Sequence, residues 1–143
     1  MKRITASLIW LLLLGCNSSG SNHQESKSDI SLSKWNEASV SSYSFHYEER
    51  GFSPLKGLWE IQVQDSKVIY VNYIGDQNPI ALLDLESAPS IDTLYKKLAA
   101  CEANSSCTIV ELDFDDKYSF PNNYYQTTGE EGSGFALTNF VVR

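Results

Sequence analysis

Ser44, His46 and Glu48 alternate along one stretch of the chain, placing a nucleophile, a base and an acid two residues apart. Nucleophilic catalysis needs the base beside the nucleophile and a third group to orient it. Side chains at i and i+2 of a strand share a face but stand about 6–7 Å apart, too far for a direct proton relay. The spacing therefore favours a solvent-facing row over a catalytic set. Glu111, Asp113 and Asp115 alternate in the same way, and Asp116 adds a fourth acid. A hard cation such as calcium takes several oxygen ligands, which such a row could offer. The segment lacks the glycine and dense acidic spacing of a calcium loop, so a solvated face is the simpler reading. No phosphate-cradling glycine loop, zinc spacing or dinucleotide fingerprint is present. The sequence thus assigns no catalytic residue, metal or cofactor.

The three cysteines divide by position. Met1-Lys2-Arg3, an apolar run from Leu8 to Leu14, and Gly15-Cys16 form a signal-like head. Leu13-Leu14-Gly15-Cys16 resembles a bacterial lipobox. That resemblance implies cleavage before Cys16 and lipid on the new N-terminal cysteine. Residues 1–15 then belong to processing rather than to the fold, and the apolar run is too short to span a bilayer. One acyl chain binds a membrane only marginally, whereas the two or three implied here give stable anchoring. Asn17 stands where an Asp holds many Gram-negative lipoproteins in the inner membrane. The outer membrane is therefore favoured if the host is Gram-negative. Cys101 and Cys107 remain, with five residues between them, in a chain whose signal-like head points to a compartment where disulfides persist. A structural disulfide is the expected state. Free thiols and a metal or redox role are the alternatives, and two thiols without a nearby His make a poor ligand set.

Charge narrows the partners. The 143-residue chain carries a net −7, and loss of Lys2 and Arg3 leaves 9 basic against 18 acidic residues, a mature −9. An acidic surface argues against nucleic acid and against electrostatic docking on anionic lipid. Solubility accounts for it most simply.

Residues 16–30 are polar and serine-rich, too poor in apolar groups to offset ordering entropy, and read as a lipidated tether to one domain over 31–143. Ser33 to Ala38 predicts a short helix capped by Ser31 or Ser33, with Trp35 as its anchor. Tyr43, Phe45 and Tyr47 alternate with polar residues, the period of a half-buried strand. Arg50 to Gly57 reads as a loop. Leu58–Val63, Asp65-Ser66 and Lys67–Ile74 read as a hairpin. Ser90 caps a helix whose Ile91, Leu94, Tyr95 and Leu98 fall on one face. Strands are expected at Thr108–Asp115, Tyr124–Thr127 and Phe135–Val142, with turn-rich chain over 121–134 and a polar turn at Glu130-Glu131. The class is α+β: an antiparallel sheet of about five to six strands, with one short N-terminal helix and one longer helix packed on one face.

Four segments in this order resemble the DUF6174 family of small bacterial proteins of unknown function. Ser33 to Tyr47 is similar to its Trp-then-"YSFTY" opening. Val63 to Val68 resembles its "V-x-D-G-K-V" hairpin, with Ser66 where Gly is usual. Ala88 to Tyr95 resembles its "SIDDLF" helix start. Phe114 to Pro121 resembles its "YDxxYGYP" segment, with Phe114 for Tyr and Ser119 for Gly. The family's cysteine-rich "CxC" after the first strand is replaced here by Gly51-Phe52-Ser53-Pro54. The resemblance implies a fold and a location but no activity.

Adjacent Tyr124 and Tyr125 cannot both face inward on a strand. With Tyr118 they form the candidate partner surface, since exposed tyrosine is common at interfaces. The expectation is a non-enzymatic lipoprotein of the cell envelope, held to the membrane through Cys16 and binding an envelope protein. The alternatives are a small periplasmic enzyme or cation-dependent factor using Glu111, Asp113 and Asp115, or an inhibitor-like module by fold analogy.

Overall fold

The computed structural model describes residues 25–143, so Cys16, the signal-like head and most of the expected tether lie outside the described residues. The elements run α1 (Lys27–Ala38), β1 (Tyr43–Gly51), β2 (Leu58–Gln64), β3 (Lys67–Tyr73), α2 (Ile91–Glu102), β4 (Cys107–Phe114), β5 (Pro121–Thr128) and β6 (Glu131–Val142). The six strands form one sheet in the order β3-β2-β1-β6-β5-β4. Every neighbouring pair is antiparallel. This is the expected α+β architecture, with both helices packed into the core on one sheet face.

The core follows from strand alternation. Tyr43, Phe45 and Tyr47 of β1 point inward opposite Val63, Ile61 and Trp59 of β2, and all six are buried. Trp35 of α1 meets the Tyr43 ring edge-on at 5.5 Å, and its Nε1–H donates to Asp92 of α2 at 3.0 Å. Ile91, Leu94, Tyr95 and Leu98 present the apolar face of α2 to the same core. The β2–β3 hairpin turns through Asp65 and Ser66, both at positive φ (49° and 62°), the geometry of a two-residue type I′ turn.

β1 runs on through Arg50 and Gly51, read above as loop, because both pair with β6. Two further elements differ from the sequence expectation. The first helix begins at Lys27 rather than Ser33, inside the segment read as tether. Ser26 and Asp29 form a reciprocal capping box, which satisfies two N–H groups at the helix start. Ser28 then hydrogen-bonds Glu102 of α2 at 2.7 Å, so a polar turn of helix is held by polar contacts rather than by apolar burial. The second difference is the region 121–134, which is a long hairpin rather than turn-rich chain. Its turn is confined to Gly129 and Glu130, between the paired Thr128 and Glu131. Pro121 opens β5, a position where a missing N–H costs no ladder bond.

Candidate functional site

Among the described residues no helix covers the second face of the sheet, the open face, which carries the outward-pointing partners of the core strands. One row crosses four strands: Arg50 of β1 lies opposite Gly134 of β6, Gly134 opposite Tyr125 of β5, and Tyr125 opposite Glu111 of β4. Three interstrand steps of about 4.8 Å separate the ends of this row. Arg50 Nη1 nonetheless meets Glu111 Oε2 at 2.7 Å. Gly134, in the middle of this row, bears no side chain, and the space that a Cβ would take there lies against Tyr124 and Tyr125. Asn123 completes the network: its Oδ1 accepts from Arg50 at 2.7 Å, and its Nδ2 donates to Asp113 at 3.0 Å and to Glu111 at 3.3 Å. The guanidinium also stands 5.4 Å from the centre of the Tyr125 ring, within cation–π range.

The network sets the charge states. The hydrogen bond from Arg50, followed by that from Asn123, holds the Glu111 carboxyl below its ordinary value. The same contact with Glu111 raises Arg50. Both side chains are partly exposed, so their value lies in orientation more than in stability.

Tyr125 rests on glycine. A Cβ on Gly132 would lie 2.1 Å from its hydroxyl oxygen, and one on Gly134 would lie 2.9 Å from its ring. The ring thus lies over the β6 backbone, filling space that side chains would otherwise occupy. Beyond it, at the tip of the β5–β6 hairpin, a cleft of about 600 Å³ opens between Tyr125, Phe52, Glu130, Glu131 and Ser133.

The residues singled out in the sequence are distributed unevenly over this map. Glu111 and Asp113 are on the open face, but Asp115 is not: β4 ends at Phe114, after a register shift. Asp115 instead accepts the Lys117 and Tyr118 N–H groups at 3.0 and 2.7 Å, capping the β4–β5 turn. The expected row of three acids is therefore broken, and Glu111 is held by a cation of the protein itself. Among the described residues, no group of three or more His, Cys, Asp or Glu side chains is placed to hold a metal.

Tyr124 corrects the expected partner surface. It is fully buried against Phe135, with ring centres 5.2 Å apart, because strand alternation turns it to the helix side and Tyr125 outward. Tyr118 is half-buried beside Phe140, so only Tyr125 of the three belongs to the open face. His46 lies on the open face and contacts Asn139 at 3.1 Å, whereas Ser44 is buried, so the two do not form a nucleophile–base pair. Cys101 and Cys107 are joined in a disulfide between the end of α2 and the start of β4. Arg50, Asn123 and Phe52 were not singled out by sequence. The signal that bears on them is the Gly132-Ser133-Gly134 spacing, which on a strand leaves two bare positions on one face.

The fold and this face define a small α+β domain with an antiparallel sheet, one side closed by helices and the other bearing an ordered polar network. The sequence model of the Family of unknown function (DUF6174) matches residues 27–140, and the chain belongs to that family. The match begins at the first residue of α1. No curated protein and no solved structure matches the chain.

Proposed function

We propose that the chain is a lipid-anchored envelope protein whose domain is a non-enzymatic binding module, presenting the helix-free sheet face to a protein partner. The observation that carries the reading is the Arg50–Asn123–Glu111 network. Its polar groups are oriented before any partner arrives, which lowers the ordering cost of association. The cleft beside it is flanked by aromatic and charged side chains, and the acid row that a cation-dependent activity would need is divided between a face and a turn.

The anchor rests on the lipobox resemblance at Cys16. Nine residues separate Cys16 from the helix cap at Ser26. Even fully extended, ten Cα steps span at most about 35 Å. A partner of this domain is therefore sought close to the membrane surface.

Two experiments test the reading. Cys16→Ser should abolish incorporation of labelled lipid and release the domain from membranes, and continued membrane retention would refute the anchor. A photo-crosslinking residue at Thr138, exposed on the open face opposite His46, should capture one identified partner in cells. The same probe at Lys34, on the outer side of α1, should not. Capture must fall when Arg50 is changed to Ala. Equal capture from both positions, or none from Thr138, would remove the open face as a binding surface.

A further inference from the structure

The β5–β6 hairpin is longer than the strand beside it. β1 makes its last pair at Gly51 with Ser133, whereas β6 begins at Glu131 and is paired with β5 from there. The hairpin tip therefore projects past the end of β1, and Glu131 and Gly132 make no ladder pair with β1. The chain leaves β1 through Gly51 at φ 91°, packed so closely that a Cβ would lie 2.2 Å from the Gly132 carbonyl oxygen. It then presents Phe52, whose side chain is 100% exposed. The resulting notch is the cleft of about 600 Å³ at the edge of the open face.

Its lining has one sign of charge. Glu130 and Glu131 contribute carboxylates, Phe52 and Tyr125 contribute aromatic rings, and among the described residues no lysine or arginine lines it. Among the described residues neither glutamate is in a salt bridge, and nearby Arg50 is occupied by Glu111 and Asn123. The chain as a whole is acidic at −7, which favours the approach of cations over anions.

We propose that this notch docks a short, extended, basic segment of a protein partner, with a lysine or arginine side chain lying along Phe52 at the rim of Tyr125 and its charge met by Glu130 and Glu131. This rests on the binding-module reading and names the chemistry of its partner. A cation over an exposed aromatic face and a carboxylate pair act on the same side chain.

The test uses the full-length protein in neutral detergent and a fluorescent peptide, Gly-Lys-Gly-Arg-Gly, with an otherwise identical peptide carrying Gln for both basic residues. The basic peptide should bind saturably and weaken as salt is raised, and the Gln peptide should not bind. Both E130Q/E131Q and F52A should weaken binding about fivefold or more, with thermal melts confirming that each variant is folded. E130K/E131K should abolish it and gain affinity for a Gly-Glu-Gly-Glu-Gly peptide. Absence of binding by the basic peptide, equal binding of the Gln peptide, or unchanged affinity in both neutral variants would overturn the proposal. Partner capture from Thr138 that survives E130Q/E131Q would leave the binding module standing and remove only its basic ligand.

Discussion

The hydroxyl of Tyr43 accepts the backbone N–H of Ile91 at 3.0 Å, so the first strand of the sheet caps the first turn of the second helix. Tyr43 is 1% exposed, and its ring packs edge-on against Trp35, so one residue joins β1, α1 and α2.

Tyr43→Phe keeps the ring and strands the Ile91 N–H away from water. A buried donor left without its partner costs about 1–3 kcal/mol. Urea unfolding should show a lower midpoint with an unchanged slope, because the buried area is nearly the same.

The buried tyrosines also fix an alkaline limit. Burial, with a smaller contribution from Glu102, pushes the Tyr124 hydroxyl up to about 12, and burial raises Tyr43, Tyr47 and Tyr95 as well. Unfolded tyrosines ionise near 10. Between these values the unfolded chain loses protons that the folded chain keeps, so stability falls as pH rises above about 10. Stability measured across that interval should drop steeply. Tyr124→Phe should flatten the drop. A stability curve that stays level to pH 12 would refute the assignment.

Glu111 moves in the opposite direction. Its carboxyl is held low chiefly by the Arg50 hydrogen bond, so the favourable pairing is present above the ordinary carboxylate pKa. It is lost as pH falls through the lower folded value. Carboxyl NMR titration should place Glu111 below the ordinary glutamate value, and Arg50→Ala should bring it back upward. The Asn123→Ala variant should produce a smaller return, because its contribution is second to that of Arg50.

Glycines of the β5–β6 hairpin should separate by cause. A Cβ at Gly134 would lie 2.1 Å from the Tyr124 carbonyl oxygen and 2.8 Å from the Tyr125 Cα, so backbone must shift. Gly134→Ala should cost about 1–3 kcal/mol, as overpacking does. Gly129, at φ 65°, has nothing within 4 Å of its would-be Cβ. Gly129→Ala should cost only the left-handed backbone penalty of about 1–2 kcal/mol. Only Gly134→Ala should move the Tyr125 ring resonances and the Glu111 titration.

These residues also show what a linear reading reaches. The alternation of Tyr43, Phe45 and Tyr47 foretold the inward face of β1, and Ser90 with Ile91, Leu94, Tyr95 and Leu98 foretold α2, because each signal is local and periodic. The start of α1 was hidden because its first turn is secured by Ser26–Asp29 and Ser28–Glu102, which carry no apolar period. Gly132 and Gly134 suggested turns, yet they are strand positions bared for Tyr125. Arg50 and Glu111 are 61 residues apart and on strands that are not neighbours. Their meeting depends on strand order, which strand periodicity does not encode.

The Cys101–Cys107 bridge agrees with the expectation drawn from the signal-like head and the cysteine spacing, and its energetic role is open to a direct test. It ties the end of α2 to the first residue of β4, with Cys101 5% exposed within the core. Closing so short a ring removes chain entropy from the unfolded state worth about 2.4 kcal/mol in the loop-entropy model. The effect acts chiefly on the unfolded chain, so the folded sheet should survive without the bridge. The unreduced protein, unfolded in denaturant, should show no reactive thiol at either position. Cys101→Ala with Cys107→Ala should lower unfolding free energy by about 2 kcal/mol while leaving the far-ultraviolet spectrum unchanged. Reductant should destabilise the parent protein by a similar amount and leave the double variant unaffected. A parent protein whose midpoint ignores reductant, although its thiols become reactive, would show that α2 and β4 are held together by packing alone.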